Sequence, residues 1–380
     1  MPINRPHILS LLFLSSSLLS GSDEAFEQFK NSQEQEFAQK KTHFIDYKKA
    51  EEAAFAQHLE NERREIAAYT KKIEQYWPKA ELGNPQKLVT YSNDLKTQRI
   101  IDFQNNTLSI SQISPEDSDA KEKLLQNLDA TLSLDNTQAF NENELEQNIN
   151  KISQTTPFIK HAKLDGQKLL DKTETAPQNI SIVKNEKGYQ LTYTLPKDAT
   201  FKRSSSYLVP AKANAKRFNL KAQWLLAIMH TESSFNPLAR SHIPAYGLMQ
   251  IVPKSAGIDS YYFLYNERRL LSASYLYNTH KNIETGSAYL HILYYKYLAS
   301  IKNPTSRLYC AIAGYNTGAG NVARAFVGTN SVPKAAEIIN TMSPESVYAY
   351  LLKNLRYDEP KHYLKRVRER TLSYEELYQL

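Results

Sequence analysis

The chain has 380 residues, of which 41% are hydrophobic, 23% are charged and only 11 are glycine. This composition excludes a collagen-like or compositionally disordered chain, and the length favours two or three domains, each with its own core. The net charge of +7 indicates an anionic partner, and the charge is uneven: residues 23–200 carry 23 Lys and Arg against 29 Asp and Glu, whereas residues 201–380 carry 23 against 11. The anion-facing surface is therefore expected in the C-terminal half.

Residues 1–22 are typical of an export signal. Arg5 supplies the positive start, an uncharged apolar and serine-rich stretch follows, and small residues at 20–22 predict a cleavage site. Residues 19–22 also resemble a bacterial lipoprotein box, but Ser22 stands where such a box has cysteine, so no thioether to lipid can form. We therefore predict an exported, periplasmic protein for which lipid anchoring is doubtful and at most a peripheral association with the outer membrane is expected.

Residues 23–78 predict one long or once-broken amphipathic helix. The segment is highly charged, has no proline or glycine before Pro78, and carries apolar residues at spacings of 4, 7 and 11 positions, which are multiples of helical turns. Pro78 and the turn at 82–85 are expected to end it. Its expected role is packing or spacing.

Residues 79–199 predict a small α+β domain. The β-prone runs that predict an antiparallel sheet and a further hairpin lie at 88–91, 99–103, 107–110, 180–183 and 189–195. An acidic helix is expected around 116–132. The charged residues of this region are typical of a solvated face.

Residues 200–380 predict an all-α domain, because helix start and stop signals recur every 10 to 20 residues. Asn219 is expected to be a left-handed cap and Pro237 a helix stop. Asn303 and Ser343 each precede a proline, a pattern typical of an N-cap with proline at the first helical position. The predicted fold class is therefore α+β and mostly α, with an all-α C-terminal domain and a smaller N-terminal α+β domain.

One carboxyl in this helical half is placed for chemistry. Glu232 follows Leu225, Ile228 and Met229 at helical spacing, so it lies on its own helix's apolar stripe. Partial burial and the negative end of the helix dipole both raise the pKa of a carboxyl, and a general acid must hold its proton near neutral pH. The alternative is a boundary glutamate paired with a nearby Lys or Arg.

Two further strings follow Glu232. Gly-Leu-Met-Gln lies at 247–250, and Tyr-Asn lies at 315–316 with glycines behind it. In this order and spacing, these strings resemble the lysozyme-like SLT domain of the soluble lytic transglycosylases. Runs at 303–307 and 339–342 and the strand-rich segment extend the resemblance to the membrane-bound lytic murein transglycosylase C family, over most of residues 80–370.

The resemblance implies a lysozyme-like fold from about residue 200 and a lytic transglycosylase. Such an enzyme cleaves the MurNAc-GlcNAc bond of peptidoglycan and leaves a 1,6-anhydroMurNAc end, with Glu232 acting first as acid and then as base. Ordinary glycosidases use two carboxylates. The next acidic residue in the chain is Asp259, beyond the Gly-Leu-Met-Gln string, so no partner carboxylate is expected nearby.

The resemblance also assigns substrate-binding residues. Ser241 would hydrogen-bond the catalytic carboxyl, or alternatively cap a turn. The other residues that it assigns to the sugar cleft are Gly247, Met249, Gln250, Tyr315, Asn316 and Tyr363. For Met249 the alternative role is packing in the core. Gly247 would let the backbone approach the cleft closely.

Neither metal nor cofactor is expected. Cys310 is the only cysteine, and His230 points away from Glu232 on a helix. The expected partner is the peptidoglycan glycan strand; nucleic acid is not expected for an exported chain, and a monomer is expected. Two alternatives stay open: a goose-type hydrolase in which water attacks, and a catalytically idle wall-binding scaffold.

Overall fold

The computed structural model describes residues 22–113, 119–148 and 179–380. The chain forms two compact units that divide between Gln57 and His58. The predicted signal peptide and its cleavage site lie outside the described residues, apart from the backbone of Ser22. The domain boundaries derived from the sequence stay predictions.

One continuous helix, α1, runs over Ser22–Ile73 and crosses the division between the units. It ends four residues before the tryptophan that precedes Pro78. In the first unit, Phe26, Phe29 and Phe37 are exposed. In the second unit, the end of the helix carries the buried Tyr69 and Ile73. Across the described residues, no helix has both the length and the apolar character needed to cross a membrane.

A five-stranded antiparallel sheet follows α1 in the second unit. Its strands have the order β1-β2-β3-β5-β4 and are β1 Lys87–Tyr91, β2 Thr97–Asp102, β3 Thr107–Ile113, β4 Ile180–Asn185 and β5 Gly188–Thr194. The sequence predicted the strands and the hairpin of β4 with β5, and this hairpin is present. The sequence did not predict that the hairpin joins the other strands: β5 also pairs with β3, with Ile110 opposite Leu191, because both side chains bury their apolar surface on the same face.

Helices cover the apolar faces of this sheet. Helix α2, Ala120–Leu132, buries Leu124 and Leu128 in the same core as the central strands. A short helix α3, Asn136–Asn141, begins with a capping box in which Asp135 accepts from the backbone N–H of Gln138 at 2.8 Å. The end of α1 covers β1 in a second, smaller cluster that includes Val89 and Tyr91.

The C-terminal half is helical, as predicted. Its α-helices are α4 Ala199–Ser205, α5 Leu208–Phe218, α6 Ala222–Ser233, α7 Ile258–Tyr265, α8 Ala273–Tyr277, α9 Thr279–Ile292, α10 Pro304–Thr317, α11 Ala319–Val327, α12 Val332–Ile339, α13 Pro344–Asn354 and α14 Asp358–Tyr378. Two π-helical turns, Pro253–Gly257 and Leu293–Tyr297, precede α7 and follow α9. The predicted fold class, mostly α with a small N-terminal α+β part, is confirmed.

The predicted caps explain where several of these helices begin and end. Asn219 has φ 53° and ends α5 in the left-handed region. The Asn303 side chain accepts from the backbone N–H groups of Thr305 and Ser306 at the start of α10. The Ser343 hydroxyl accepts from the N–H of Ser346 at the start of α13. These local signals were therefore predictable from the sequence.

Candidate active site

Glu232 lies in the last turn of α6. Ser234 and Phe235 both have positive φ, 51° and 63°, so the helix ends just after the glutamate. Leu225 and Ile228, which share its side of the helix, are completely buried. The prediction that this carboxyl lies on an apolar stripe is therefore correct, and the helix places it at the edge of the core.

Burial raises the pKa of Glu232 to about 8. The Tyr363 hydroxyl opposes this rise, because a phenol directed at a carboxyl stabilises the charged form. The nearby Glu359 adds to the rise, and Arg366 lowers it slightly. The buried Tyr363 hydroxyl lies close to the carboxyl but does not reach hydrogen-bond geometry with any described residue. A carboxyl in this environment keeps its proton at neutral pH.

A second phenol, that of Tyr315 on α10, lies beside the same carboxyl. Its hydroxyl donates to the backbone carbonyl of Met249 at 2.9 Å, which ties α10 to the 245–251 loop. Burial, followed by the charge of Glu232, raises the pKa of Tyr315 well above its usual value. The ring packs edge-on against Tyr289 of α9, with 5.5 Å between the centroids. The structure thus brings Glu232, Tyr315 and Tyr363 together from three helices.

A second carboxylate, contrary to the sequence expectation, lies near Glu232. Glu359, at the start of α14, is close enough to raise the pKa of Glu232. The Asn316 amide donates to it at 3.3 Å, and the substrate-binding role of Asn316 stays a prediction. The expectation failed because it considered only the residues that follow Glu232 closely in the chain, whereas α14 packs along α6.

The Gly-Leu-Met-Gln string forms a tight loop that the Asn282 side chain of α9 holds through hydrogen bonds to the backbone. The buried Asn282 side chain accepts from the N–H of Met249 and donates to the carbonyls of Tyr246 and Leu276, each at 2.8 Å. Gly247 has φ +75°, and a Cβ atom there would lie 2.3 Å from Asn282 Nδ2. The glycine thus permits close backbone approach to the interior side of the loop.

Met249 and Gln250 differ in what they offer to a ligand. The Met249 side chain is completely buried and packs against Gly286, so the geometry favours the core-packing alternative for this side chain. The Gln250 amide donates to the carbonyls of Ala239 and Gly247 at 3.1 and 2.9 Å. Its Oε1 is buried and has no hydrogen-bond partner within the described ranges, which leaves an acceptor at this loop. Cleft roles for both residues stay predictions.

Ser241 lies in the turn before this loop. Its hydroxyl donates to the carbonyl of Ile243 and accepts from the N–H of Ala245, and the structure gives it no bond to Glu232 among the residues it describes. This is the turn-cap arrangement that the sequence left as the alternative. Its assignment to the substrate stays a prediction.

A buried cluster of charged side chains lies next to the same loop. Arg240 pairs with Glu62 of α1 and with Glu146, whose carboxylate lies 3.3 Å away. All three side chains are largely buried, so each charge depends on the others for compensation. Arg240 follows Ala239, whose carbonyl holds both Gly247 and Gln250. The N-terminal elements of the second unit therefore help to fix the 245–251 loop of the candidate site.

The turn before β1 contacts the end of α6 directly. The side-chain amide of Gln86, just before β1, donates to the backbone carbonyl of Glu232 at 3.1 Å. The Asn236 amide donates to the carbonyl of Pro85 at 3.2 Å. The turn before β1 thus satisfies a carbonyl at the end of α6 that has no partner within the helix.

Sequence reasoning missed Glu359, Asn282 and Gln86. A signal existed for Asn282, because a polar residue on the apolar side of α9, four positions before Gly286, is expected to bond something specific. Local spacing gives no comparable signal for Glu359 or Gln86, which reach Glu232 only through packing of distant segments.

Comparison with known proteins gives consistent matches. The family model for the transglycosylase SLT domain matches residues 210–338. Proteins named membrane-bound lytic murein transglycosylase C from Klebsiella pneumoniae subsp. pneumoniae, Serratia proteamaculans and Salmonella typhimurium are each 32% identical to this chain. The alignments extend over 328, 322 and 327 residues and cover 81% of this chain and 88% of each relative.

Solved structures give partial matches. Lytic transglycosylase Slt from Pseudomonas aeruginosa is 25% identical, with a TM-score of 0.35 over 45% of this chain and 24% of that chain. The 70 kDa soluble lytic transglycosylase from Escherichia coli is 21% identical, with a TM-score of 0.35 over the same shares. A complex of the 70 kDa soluble lytic transglycosylase with bulgecin A has a TM-score of 0.38 at 22% identity, over 48% of this chain and 26% of that chain.

Proposed function

Because the chain belongs to the membrane-bound lytic murein transglycosylase C family, we propose that it cleaves the β-1,4 bond between MurNAc and GlcNAc in peptidoglycan without consuming water. The product would carry a 1,6-anhydroMurNAc end. The observation that carries this proposal is Glu232, a half-buried carboxyl with a pKa of about 8 that lies between two phenols. The enzyme class, a peptidoglycan lytic transglycosylase, is the one that the sequence predicted.

Glu232 would act twice in one turnover. Its proton passes to the glycosidic oxygen as the bond from C1 to that oxygen breaks. The C6 hydroxyl oxygen of the same muramyl residue then attacks C1, and the Glu232 carboxylate takes the hydroxyl proton. The carboxyl is thereby restored to its starting state, and no cofactor or second nucleophile enters the balance.

The two phenols would support these steps in different ways. The Tyr363 hydroxyl, directed at the carboxyl, can stabilise the carboxylate that forms once the proton has left. The Tyr315 hydroxyl is engaged by the carbonyl of Met249, so it holds the loop against α10 while its ring borders the carboxyl. Both groups come from rigid helices, which keeps the acid in a fixed position.

Glu359 favours a second candidate, a goose-type hydrolase. An inverting hydrolase needs a second carboxylate that activates water on the opposite face of the sugar. Glu359 is exposed at the start of α14, and Asn316 orients it. In the transglycosylase, the same carboxylate would instead serve to raise the pKa of Glu232.

Mass analysis of the muropeptides released from purified peptidoglycan separates these candidates. The proposed reaction gives anhydro ends, each lighter by one water than the corresponding reducing end. Reducing ends alone would replace the transglycosylase by the hydrolase. Sedimentation with insoluble wall but no released muropeptide would favour the non-catalytic scaffold.

Removing the Tyr363 hydroxyl should change the pH dependence of this reaction. In Tyr363→Phe the carboxylate loses a stabilising phenol, so the pKa of Glu232 rises further above about 8. The alkaline limb of the kcat/KM profile, which reports the acid of the free enzyme, should therefore move to higher pH.

Tyr350→Phe is the matched control, because its ring stacks on Phe326 instead of bordering Glu232. The control profile should overlay that of the wild type. An unmoved alkaline limb in Tyr363→Phe, with folding intact, would show that this phenol does not act on the acid.

A further inference from the structure

Two exposed tyrosines and two charged side chains lie on α7, just after it and at the end of the second π-helical turn. Tyr262 on α7 and Tyr297 at the end of the second π-helical turn are 49% and 45% exposed. The Tyr297 hydroxyl donates to Asp259 at 2.8 Å, and the Arg268 guanidinium lies over the Tyr262 ring, 5.8 Å from its centroid. We call these four side chains the α7 platform.

The α7 platform continues from the catalytic centre. The Tyr289 ring contacts the Tyr315 ring, and Tyr315 borders Glu232. Burial, and after it the charges of Asp259 and Tyr297, raise the pKa of the Tyr289 hydroxyl, so these two platform residues lie near the Tyr289 ring. Tyr289 and Tyr297 lie eight positions apart on α9 and its π-helical extension, and therefore about 12 Å apart along the axis at a helical rise of 1.5 Å per residue.

The chemistry of the α7 platform suits one ligand class. The flat faces of tyrosine rings offer rigid apolar area with a polar edge, which matches the C–H faces and hydroxyl rims of pyranose rings. Asp259 can accept from sugar hydroxyl or amide groups. The exposed Arg268 can bind a carboxylate such as the lactyl or stem-peptide carboxylate of a muramyl residue.

We infer that Tyr262, Tyr297, Asp259 and Arg268 form an outer subsite that holds sugar rings of the same glycan strand whose bond is cleaved at Glu232. This inference rests on the proposed function for the identity of its ligand. Continuity with Tyr315 through Tyr289, together with one acidic and one basic group beside the tyrosine rings, favours an amino-sugar polymer over an unrelated protein partner.

Binding is measured in the Glu232→Gln background, so that the ligand stays intact. Peptide-free glycan strands of defined length are titrated against this variant and against the same variant with Tyr262→Ala and Tyr297→Ala added. Loss of both rings should weaken binding of long strands by at least about tenfold, which corresponds to about 1.4 kcal/mol. Binding of the shortest strands, which fill only the catalytic centre, should change much less.

Two further variants sharpen the test. Tyr76→Ala removes a tyrosine of similar exposure, 39%, from the turn that follows α1, and should leave binding unchanged. Tyr297→Phe keeps the ring and loses only the bond to Asp259, so it should retain most of the affinity. If the folded variant that carries both Tyr262→Ala and Tyr297→Ala bound long strands as tightly as its Glu232→Gln parent, the proposal that the α7 platform is an outer subsite would be wrong. Failure of the wild type to release muropeptides would overturn the proposed function instead, and the binding result would be unaffected.

Discussion

Glu232→Gln should lower the rate of muropeptide release by about 10²- to 10⁴-fold, the range that a positioned general acid contributes. The amide has nearly the same shape as the carboxyl but carries no proton that it can give to a leaving oxygen. Because Glu232 is half-buried and gains little from being charged in this environment, the variant should fold and bind glycan as the wild type does. The rate is measured as release of soluble fragments from purified wall.

Glu359→Gln is the matched variant, because it removes the neighbouring carboxylate and leaves the donor in place. Glu359→Gln should cost much less activity than Glu232→Gln. Removal of the Glu359 carboxylate should also lower the pKa of Glu232, because the repulsive charge is gone. Equal loss of activity in both variants would support the two-carboxylate hydrolase. Full activity in Glu232→Gln would exclude this residue as the acid.

Gly247→Ala should destabilise the chain by about 3 kcal/mol or more and remove activity with it. A Cβ atom at this position would lie 2.3 Å from Asn282 Nδ2 and 2.5 Å from the carbonyl oxygen of Leu276. Neither neighbour can yield easily, because Asn282 holds the loop through three hydrogen bonds and Leu276 contributes backbone. Thermal and denaturant unfolding give the size of the effect.

Gly328→Ala separates steric overlap from backbone strain. Gly328 has a similar φ of +69°, but a Cβ atom there would meet nothing within 4 Å. Only the left-handed conformation is then penalised, at about 1–2 kcal/mol. Equal losses of unfolding free energy in the two variants would show that the close approach of Asn282 to the loop is unimportant.

The helical half shows what local sequence determines. The caps at Asn219, Asn303 and Ser343 depend on residues within three or four positions, and the structure confirms each of them. The apolar stripe that carries Glu232 was predictable for the same reason, because helical periodicity alone places its side chain.

Contacts between distant segments were not predictable in this way. Glu359 lies 127 positions after Glu232 in the numbering, and only the packing of α14 along α6 brings it near. The pairing of β3 with β5 likewise joins segments at least 75 positions apart, from Ile113 to its partner Gly188, and depends on burial of a shared face. Hydrophobic periodicity identifies such segments but does not choose their partners.

Side-chain roles inside the motif were only partly predictable. The Gly-Leu-Met-Gln string indicated a loop near the acid, yet the structure buries the Met249 side chain and leaves the Gln250 Oε1 without a partner in the described part of the chain. The difference follows from Gly286 of α9, which leaves space for the Met249 sulfur. The Gly-Leu-Met-Gln motif alone does not reveal that space, because Gly286 lies outside the motif.

The pKa of Glu232 itself tests the account most directly. Carbon NMR of the glutamate carboxyls, titrated in the wild type and in Glu232→Gln, assigns the resonance of Glu232 as the one missing from the variant. We expect that resonance to titrate with a midpoint of about 8, well above the ordinary glutamate value of 4.5. A midpoint at the ordinary value would mean that this side chain carries no proton at neutral pH, and it would contradict its role as the acid.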